Sequence, residues 1–147
     1  MIAVGDLAPD FRLRDQHGTE VQLSELRGRP VVLYFFPKAN TPGCTRETID
    51  FARSLPQLEG RGTHVLGISV DSVATQEKFA ARCAASFPLL SDSDREVARR
   101  YGVLGLFHMA KRVTFILDGN GRVVQVVEGM RPGPHVAAAL ARFGPAP

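Results

Sequence analysis

The apolar run Val31-Val32-Leu33-Tyr34-Phe35-Phe36, broken off by Pro37, limits the folds open to this chain more than any other stretch. It shows no polar alternation and is rich in β-branched and aromatic residues. Such a run makes a strand covered on both faces, inside a sheet that carries helices on each side. It is followed by the loop Pro37-Lys38-Ala39-Asn40-Thr41-Pro42-Gly43-Cys44-Thr45, then by Arg46 to Arg53, which read as helix. Strand, Pro- and Gly-punctuated loop and helix start place Cys44 where unpaired backbone N–H groups point outward and the helix dipole favours negative charge. A thiol there is drawn towards its ionised form.

The flanking sequence fills out the sheet. Phe11 to Leu13 and Glu20 to Leu23 bracket Asp15-Gln16-His17-Gly18 as an N-terminal hairpin, and Ser24 can cap one helical turn before Gly28. The helix from Cys44 puts Ile49, Ala52 and Leu55 on one face, and Pro56 is expected to end or kink it. His64 to Val70 is a second buried strand, and Asp71 or Ser72 caps a helix through about Ala84. Phe87 to Leu90 is a short apolar segment. Ser93 with Glu96 matches a capping box for a helix ending at Gly102. After a loop from Val103 to Lys111 come the strand Arg112–Leu117, the turn Asp118-Gly119-Asn120-Gly121, a return strand to Val127 and a closing helix from His135 to Phe143. Strands alternating with helices, then an antiparallel pair, predict an α/β fold with a mixed sheet. No repeat or linker divides the chain, so residues 1–147 are read as one domain.

Charge and composition exclude several classes of function. The net charge of +3 is carried by scattered pairs such as Arg99/Arg100 and Lys111/Arg112, not by a stripe, and there is no Trp, which argues against nucleic acid as a partner. No apolar run nears the length of a membrane span, and Met1 to Asp6 does not resemble a secretory signal. Two cysteines in a chain of this kind fit a reducing, cytoplasmic location, where cysteine chemistry is more often catalytic than structural. The four histidines show no ligand spacing, so no metal is expected. The Asp118 turn has Gly129 where a calcium loop needs its last acidic ligand. No glycine-rich phosphate loop is present, so no cofactor is expected.

Cys44 has a bland alternative as a small buried hydrophobe, but its polar and chain-breaking neighbours argue for a nucleophile. Thr41 stands where a Cys-x-x-Cys motif would hold its partner thiol, so no disulfide can form within this loop. It can also be read as a turn or cap residue, and Pro37 as a strand end or a shield for the thiolate. Arg112, opening an apolar strand, reads by itself as a solvated end. Glu47 reads as a first-turn carboxylate favoured by the dipole. Cys83 shares a helix face with Val73 and Ala80, which fits a core residue as well as a reactive one.

The run Pro-x-x-x-Thr-Pro-Gly-Cys-Thr from Pro37 to Thr45 resembles the peroxidatic signature of the peroxiredoxins, and within them the bacterioferritin comigratory protein group, or Q class. The resemblance extends through Gly5 to Phe11, Leu66 to Ser69, Phe87 to Asp92 and Arg112 to Asp118. It implies a thioredoxin fold with an N-terminal hairpin extension, and reduction of hydrogen peroxide and organic hydroperoxides by the Cys44 thiolate. It further implies that Arg112 is the catalytic arginine, that Glu47 orients it, and that the chain acts as a monomer or a dimer. In this class a resolving cysteine stands either where this chain has Ile49 or, on the later helix, where it has Ala80. Cys83 lies one turn beyond Ala80, so its part as resolving cysteine, recycled by thioredoxin or a similar dithiol protein, stays open.

The physics adds a requirement. The helix dipole contributes about 1 kcal/mol towards a thiolate, so a neighbouring cation is needed, and Arg112 is the candidate. Thr41 hydroxyl, Arg112 guanidinium and the Cys44 backbone N–H are expected to donate to the peroxide oxygens as the O–O bond lengthens. Two other readings remain beside this one. A one-cysteine peroxidase would be recycled by an external thiol, and a non-catalytic redox-sensing module would use the same fold.

Overall fold

The structure, a computed structural model, describes residues 1–143. In chain order it contains β1 (Arg12–Arg14), β2 (Glu20–Gln22), a 3-10 turn (Leu23–Leu26), β3 (Val31–Phe35) and α1 (Pro42–Gly60). Then come β4 (His64–Ser69), α2 (Val73–Cys83), β5 (Leu89–Ser91), α3 (Glu96–Tyr101), a second 3-10 turn (Leu106–His108), β6 (Val113–Leu117), β7 (Val123–Glu128) and α4 (Gly133–Phe143). The strands form one mixed sheet in the order β2-β1-β5-β4-β3-β6-β7. β3 runs parallel to β4 and antiparallel to β6, and every residue of it is buried, as an unbroken apolar run requires.

Alternation along β3 feeds two cores. Val31, Leu33 and Phe35 face a cluster with Leu66, Ile68, Phe115 and Tyr101 of α3. Val32, Tyr34 and Phe36 face the other side, where α1, α2 and α4 contribute Phe51, Leu58, Phe79 and Ala139. Tyr34 ties α1 to the sheet: its ring stacks on Phe51 at 4.6 Å and its hydroxyl lies 2.9 Å from that of Thr48. Gly67 on β4 makes room for that ring, since a Cβ there would come within 2.8 Å of both Tyr34 Cζ and Leu89 Cδ2.

Two local expectations give way. Pro56 lies inside α1 and does not end it. The buried residues Leu55 and Leu58 flank the proline on the inward face, and their packing outweighs the lost backbone hydrogen bond. The capping box at Ser93 does not form. Asp92 holds the start of α3 instead, its buried carboxylate accepting from Val97 N at 3.1 Å and Ala98 N at 2.8 Å, with Arg95 in the left-handed region at φ 64°. Ser72 caps α2 as expected, accepting from Thr75 N. Among the described residues no helix is long and apolar enough to cross a membrane.

Gly67→Ala should lower stability by ~1–3 kcal/mol through overpacking against Tyr34 and Leu89. This would be read as a lower urea midpoint. An unchanged midpoint would mean that those two side chains can give way.

Candidate active site

Thr41 occupies the N-cap position of α1 and Pro42 the first turn, where a fixed φ and a missing N–H suit a helix start. Cys44 therefore falls in the first turn, as expected, but it is fully buried and belongs to the apolar cluster on that face. The loop before it is held from outside. Ala39 N donates to Asp71 Oδ2 at 2.8 Å, Ser69 Oγ donates to the same oxygen, and Asn40 takes a left-handed φ of 67°. Asp71, read from sequence as a cap, thus anchors the loop to the end of β4.

The antiparallel register of β3 and β6 pairs Phe35 with Val113, which brings Arg112 to the same end of the sheet as the loop. Arg112 is buried, with Nε donating to Met130 O at 2.8 Å, Nη1 donating to Glu47 Oε1, and Nη2 donating to Cys44 Sγ at 3.3 Å. It is not a solvated strand end. Gly43 admits it, since a Cβ at that position would lie 2.9 Å from Arg112 Nη2. The guanidinium is thus spread over a thiol, a carboxylate and a carbonyl in a site closed to bulk water, where charge-assisted bonds are strongest.

Glu47 sits one turn after Cys44 and is fully buried. Burial pushes its carboxyl up to about 7 despite the opposing pull of Arg112. Arg112 itself is moved up, because the neighbouring Glu47 and Cys44 outweigh its burial. Behind Glu47 stands His135 of α4, also buried, with Nδ1 3.9 Å from Glu47 Oε2 and 2.8 Å from Thr114 Oγ1. Burial pushes His135 down.

Thr41 does not cap the helix with its side chain; its hydroxyl donates to Lys38 O at 2.7 Å. With its proton committed, Thr41 offers lone pairs to a ligand, so the donor role expected from sequence becomes an acceptor role. Pro37 is half-buried and lines an apolar recess of about 340 Å³ with Leu106, Phe107, Met109 and Met130.

Cys83, the last residue of α2, is buried, and its Sγ lies 4.0 Å from the carbonyl oxygen of Thr45, the residue next to Cys44. Both cysteines are free thiols. Burial pushes the Cys83 thiol up, against a smaller lowering by Arg82. Tyr34 stands near both: burial first, then the charges of Glu47, Cys83 and Cys44, push its hydroxyl well up.

Residues 4–126 match the AhpC/TSA family. Peroxiredoxin Bcp of Escherichia coli is 35% identical over 141 residues, covering 91% of this chain and 90% of that protein. The chain belongs to this family, in its peroxiredoxin Bcp/Q branch. The crystal structure of peroxidoxin BcpB from Mycobacterium tuberculosis superposes with a TM-score of 0.90 at 38% identity, over 97% of each chain. A Xanthomonas campestris bacterioferritin comigratory protein, described for its alkyl peroxide reduction activity, superposes with a TM-score of 0.84 at 34% identity, over 90% of this chain and 89% of that one. Peroxiredoxin membership makes the chain a thiol-dependent peroxidase with a thioredoxin fold.

Gly43, Asp71, Thr114 and His135 escaped the sequence reading as site residues. Gly43 lay inside the motif, but the need for a side-chain-free position came only from a guanidinium arriving from β6. Nothing in the local sequence marks His135, because its partners are residues 129, 114 and 47.

Gly43→Ala should push the guanidinium away from Cys44 and slow peroxide reduction under conditions where the protein stays folded, and, because it disturbs a buried ion pair, lower stability by ~1–3 kcal/mol. An undiminished rate would mean that the guanidinium can shift without leaving Cys44. For Glu47, a carboxyl lifted on folding binds its proton more tightly in the native state. Its contribution to stability is therefore complete below the unfolded value of 4.5 and is lost as pH rises through about 7. Urea unfolding across that window should show a falling limb that Glu47→Gln lacks.

Proposed function

We propose that Cys44 is the peroxidatic nucleophile of this thiol peroxidase, with Arg112 as its electrostatic partner and Thr41 as the group that orients the peroxide. The observation that carries this reading is the single guanidinium donating to Cys44 Sγ through Nη2 and to Glu47 through Nη1. Cys44 thiolate attacks the terminal oxygen of a hydroperoxide. The S–O bond forms as the O–O bond breaks, and the leaving alkoxide or hydroxide takes a proton to give alcohol or water, with sulfenic acid left on Cys44. Arg112 stabilises the negative charge as it moves from sulfur to the leaving oxygen. Thr41, with its proton on Lys38 O, accepts the O–H of the substrate and so orients it. Pro37 shields the thiolate from water. The apolar recess beside Pro37 and Met130 suits the organic end of an alkyl hydroperoxide better than it suits water.

For recycling, Cys83 is the resolving cysteine of this reading. Its Sγ already touches the first turn of α1, and it ends its helix beside Ala84, which is in the left-handed region at φ 54°. Fraying the last turn of α2 or the first turn of α1 would let the sulfurs approach to disulfide geometry. Cys83 also lines a surface recess with Ile49, Ala52 and Arg53, a point of approach for thioredoxin or a similar dithiol protein. The second reading, reduction of the sulfenic acid by an external thiol, draws on the burial that holds Cys83 as a thiol.

Arg112→Ala and Thr41→Val should each slow peroxide reduction by about 10²–10³-fold, as loss of one oriented transition-state contact does, with a much smaller change in thiolate absorbance at pH 7. Rate and thiolate content falling in step would remove the transition-state role. Intact mass after one equivalent of peroxide separates the recycling routes. Loss of two hydrogens marks a Cys44–Cys83 disulfide, whereas gain of one oxygen marks one-cysteine chemistry.

A further inference from the structure

Behind the guanidinium, the buried hydrogen bonds leave one vacant place for a proton. Nε2 of His135 lies 2.8 Å from Gly129 O, which can only accept, so Nε2 carries the ring proton and Nδ1 presents a lone pair. Thr114 Oγ1 donates to that lone pair. Glu47 Oε1 accepts from Arg112, but Glu47 Oε2 is buried with no hydrogen-bond partner and faces Nδ1 across 3.9 Å. A buried carboxylate oxygen with no hydrogen-bond partner costs free energy, and a proton on the carboxyl lowers that cost.

The charges point the same way. Glu47 is faced by Arg112 at the start of β6, His135 from α4, Cys44 one turn earlier on α1, and Tyr34 of β3, whose hydroxyl is bonded to Thr48. Arg46 and Asp50 pair with each other further out on α1. Burial and the nearby Arg112 keep His135 neutral, and burial keeps Tyr34 protonated. Arg112 is thus the one positive charge among these groups, set between two acids. With Cys44 and Glu47 both ionised, the site would bury two anions on one cation, a state that burial strongly disfavours. Cys44 Sγ and Glu47 Oε1 thus compete for a single guanidinium.

We propose that Glu47, with His135 Nδ1 as its hydrogen-bond acceptor, stores the proton that Cys44 loses on ionisation and releases it when peroxide consumes the thiolate. The inference rests on Cys44 being the nucleophile. In the reduced site, thiolate, guanidinium and protonated Glu47 sum to zero charge. Thiolate plus hydroperoxide plus one proton gives sulfenic acid plus alcohol. The sulfenic acid is neutral, so Arg112 is left facing no anion, and Glu47 ionises beside it. The proton Glu47 gives up balances the one that the leaving alkoxide takes, and the site stays neutral throughout. The position of Glu47 near 7 places this exchange in the neutral range, and the lowered His135 keeps the stored proton on the carboxyl. For the stored proton to bond Nδ1, Thr114 turns its hydroxyl away and Glu47 Oε2 closes the 3.9 Å gap to hydrogen-bond distance, a side-chain shift of about 1 Å.

The test is infrared difference spectroscopy of the full chain at pH 7 across one equivalent of hydrogen peroxide. Thiolate absorbance in the ultraviolet and net proton uptake, read with a pH indicator, are followed alongside. In the natural chain, thiolate absorbance and the carbonyl band of a protonated carboxylic acid should disappear together, with no net proton uptake. Glu47→Gln should show no acid band and take up about one proton per thiolate lost, because the leaving oxygen must then draw its proton from solvent. His135→Phe, which removes the acceptor, should weaken the acid band and restore part of that uptake; an undiminished band would take His135 out of the proposal. Loss of thiolate absorbance with no loss of the acid band in the natural chain would overturn the proposal while leaving the peroxide chemistry intact. Thiolate absorbance that survives peroxide would overturn the nucleophile reading, and this inference with it.

Discussion

The structure of the site depends on one guanidinium. Arg112 is buried at the start of β6 and divides its donors among a thiol, a carboxylate and a backbone carbonyl. A lysine could supply the charge but not the planar fork that reaches three acceptors at once. The burial that makes these bonds strong would make an unpaired partner costly, so each group constrains the others. At Cys44 the guanidinium adds a full positive charge to the weaker field of the helix start.

What holds the guanidinium in place is the sheet. The register of β3 against β6 sets where Arg112 emerges, and Tyr34, seated in the space left by Gly67, sets where α1 lies above β3. Gly43 leaves the gap through which the fork reaches Cys44. The loop that carries Thr41 is fastened from the far side by Asp71. Packing distances in the core are therefore passed directly to Cys44 Sγ, while the two segments proposed to open for recycling, the first turn of α1 and the last of α2, are helix ends, where fewer backbone bonds oppose opening.

Much of this was legible along the chain. The apolar run of β3, the alternation of strands and helices and the Pro37–Thr45 motif gave the α/β fold and Cys44 at a helix start. Misreadings came where a local signal met a tertiary one. Pro56 is a helix breaker by its own chemistry, yet Leu55 and Leu58 pack on the core and carry α1 through it. Ser93 and Glu96 have capping-box spacing, but Asp92, turned inward, takes the backbone donors first. Cys83 looked equally like core and like a partner thiol because it is both buried and within reach of residue 45.

By itself, the sequence determined the order of elements, the position of Cys44 in a first turn and the absence of a second thiol in its loop. These follow from short-range rules: strand propensity, proline and glycine geometry, and the outward N–H groups of a helix start. Only the tertiary structure decided that Arg112 bonds Cys44, that Thr41 is left as an acceptor, and that Glu47 faces His135 with an unpaired oxygen. Those contacts span from three to 88 positions of chain and depend on register, burial and the direction of single hydrogen bonds. No spacing rule encodes them: the long-range contacts exist only once the sheet has brought its strand ends together, and the Thr41–Lys38 bond only once the loop has taken its shape.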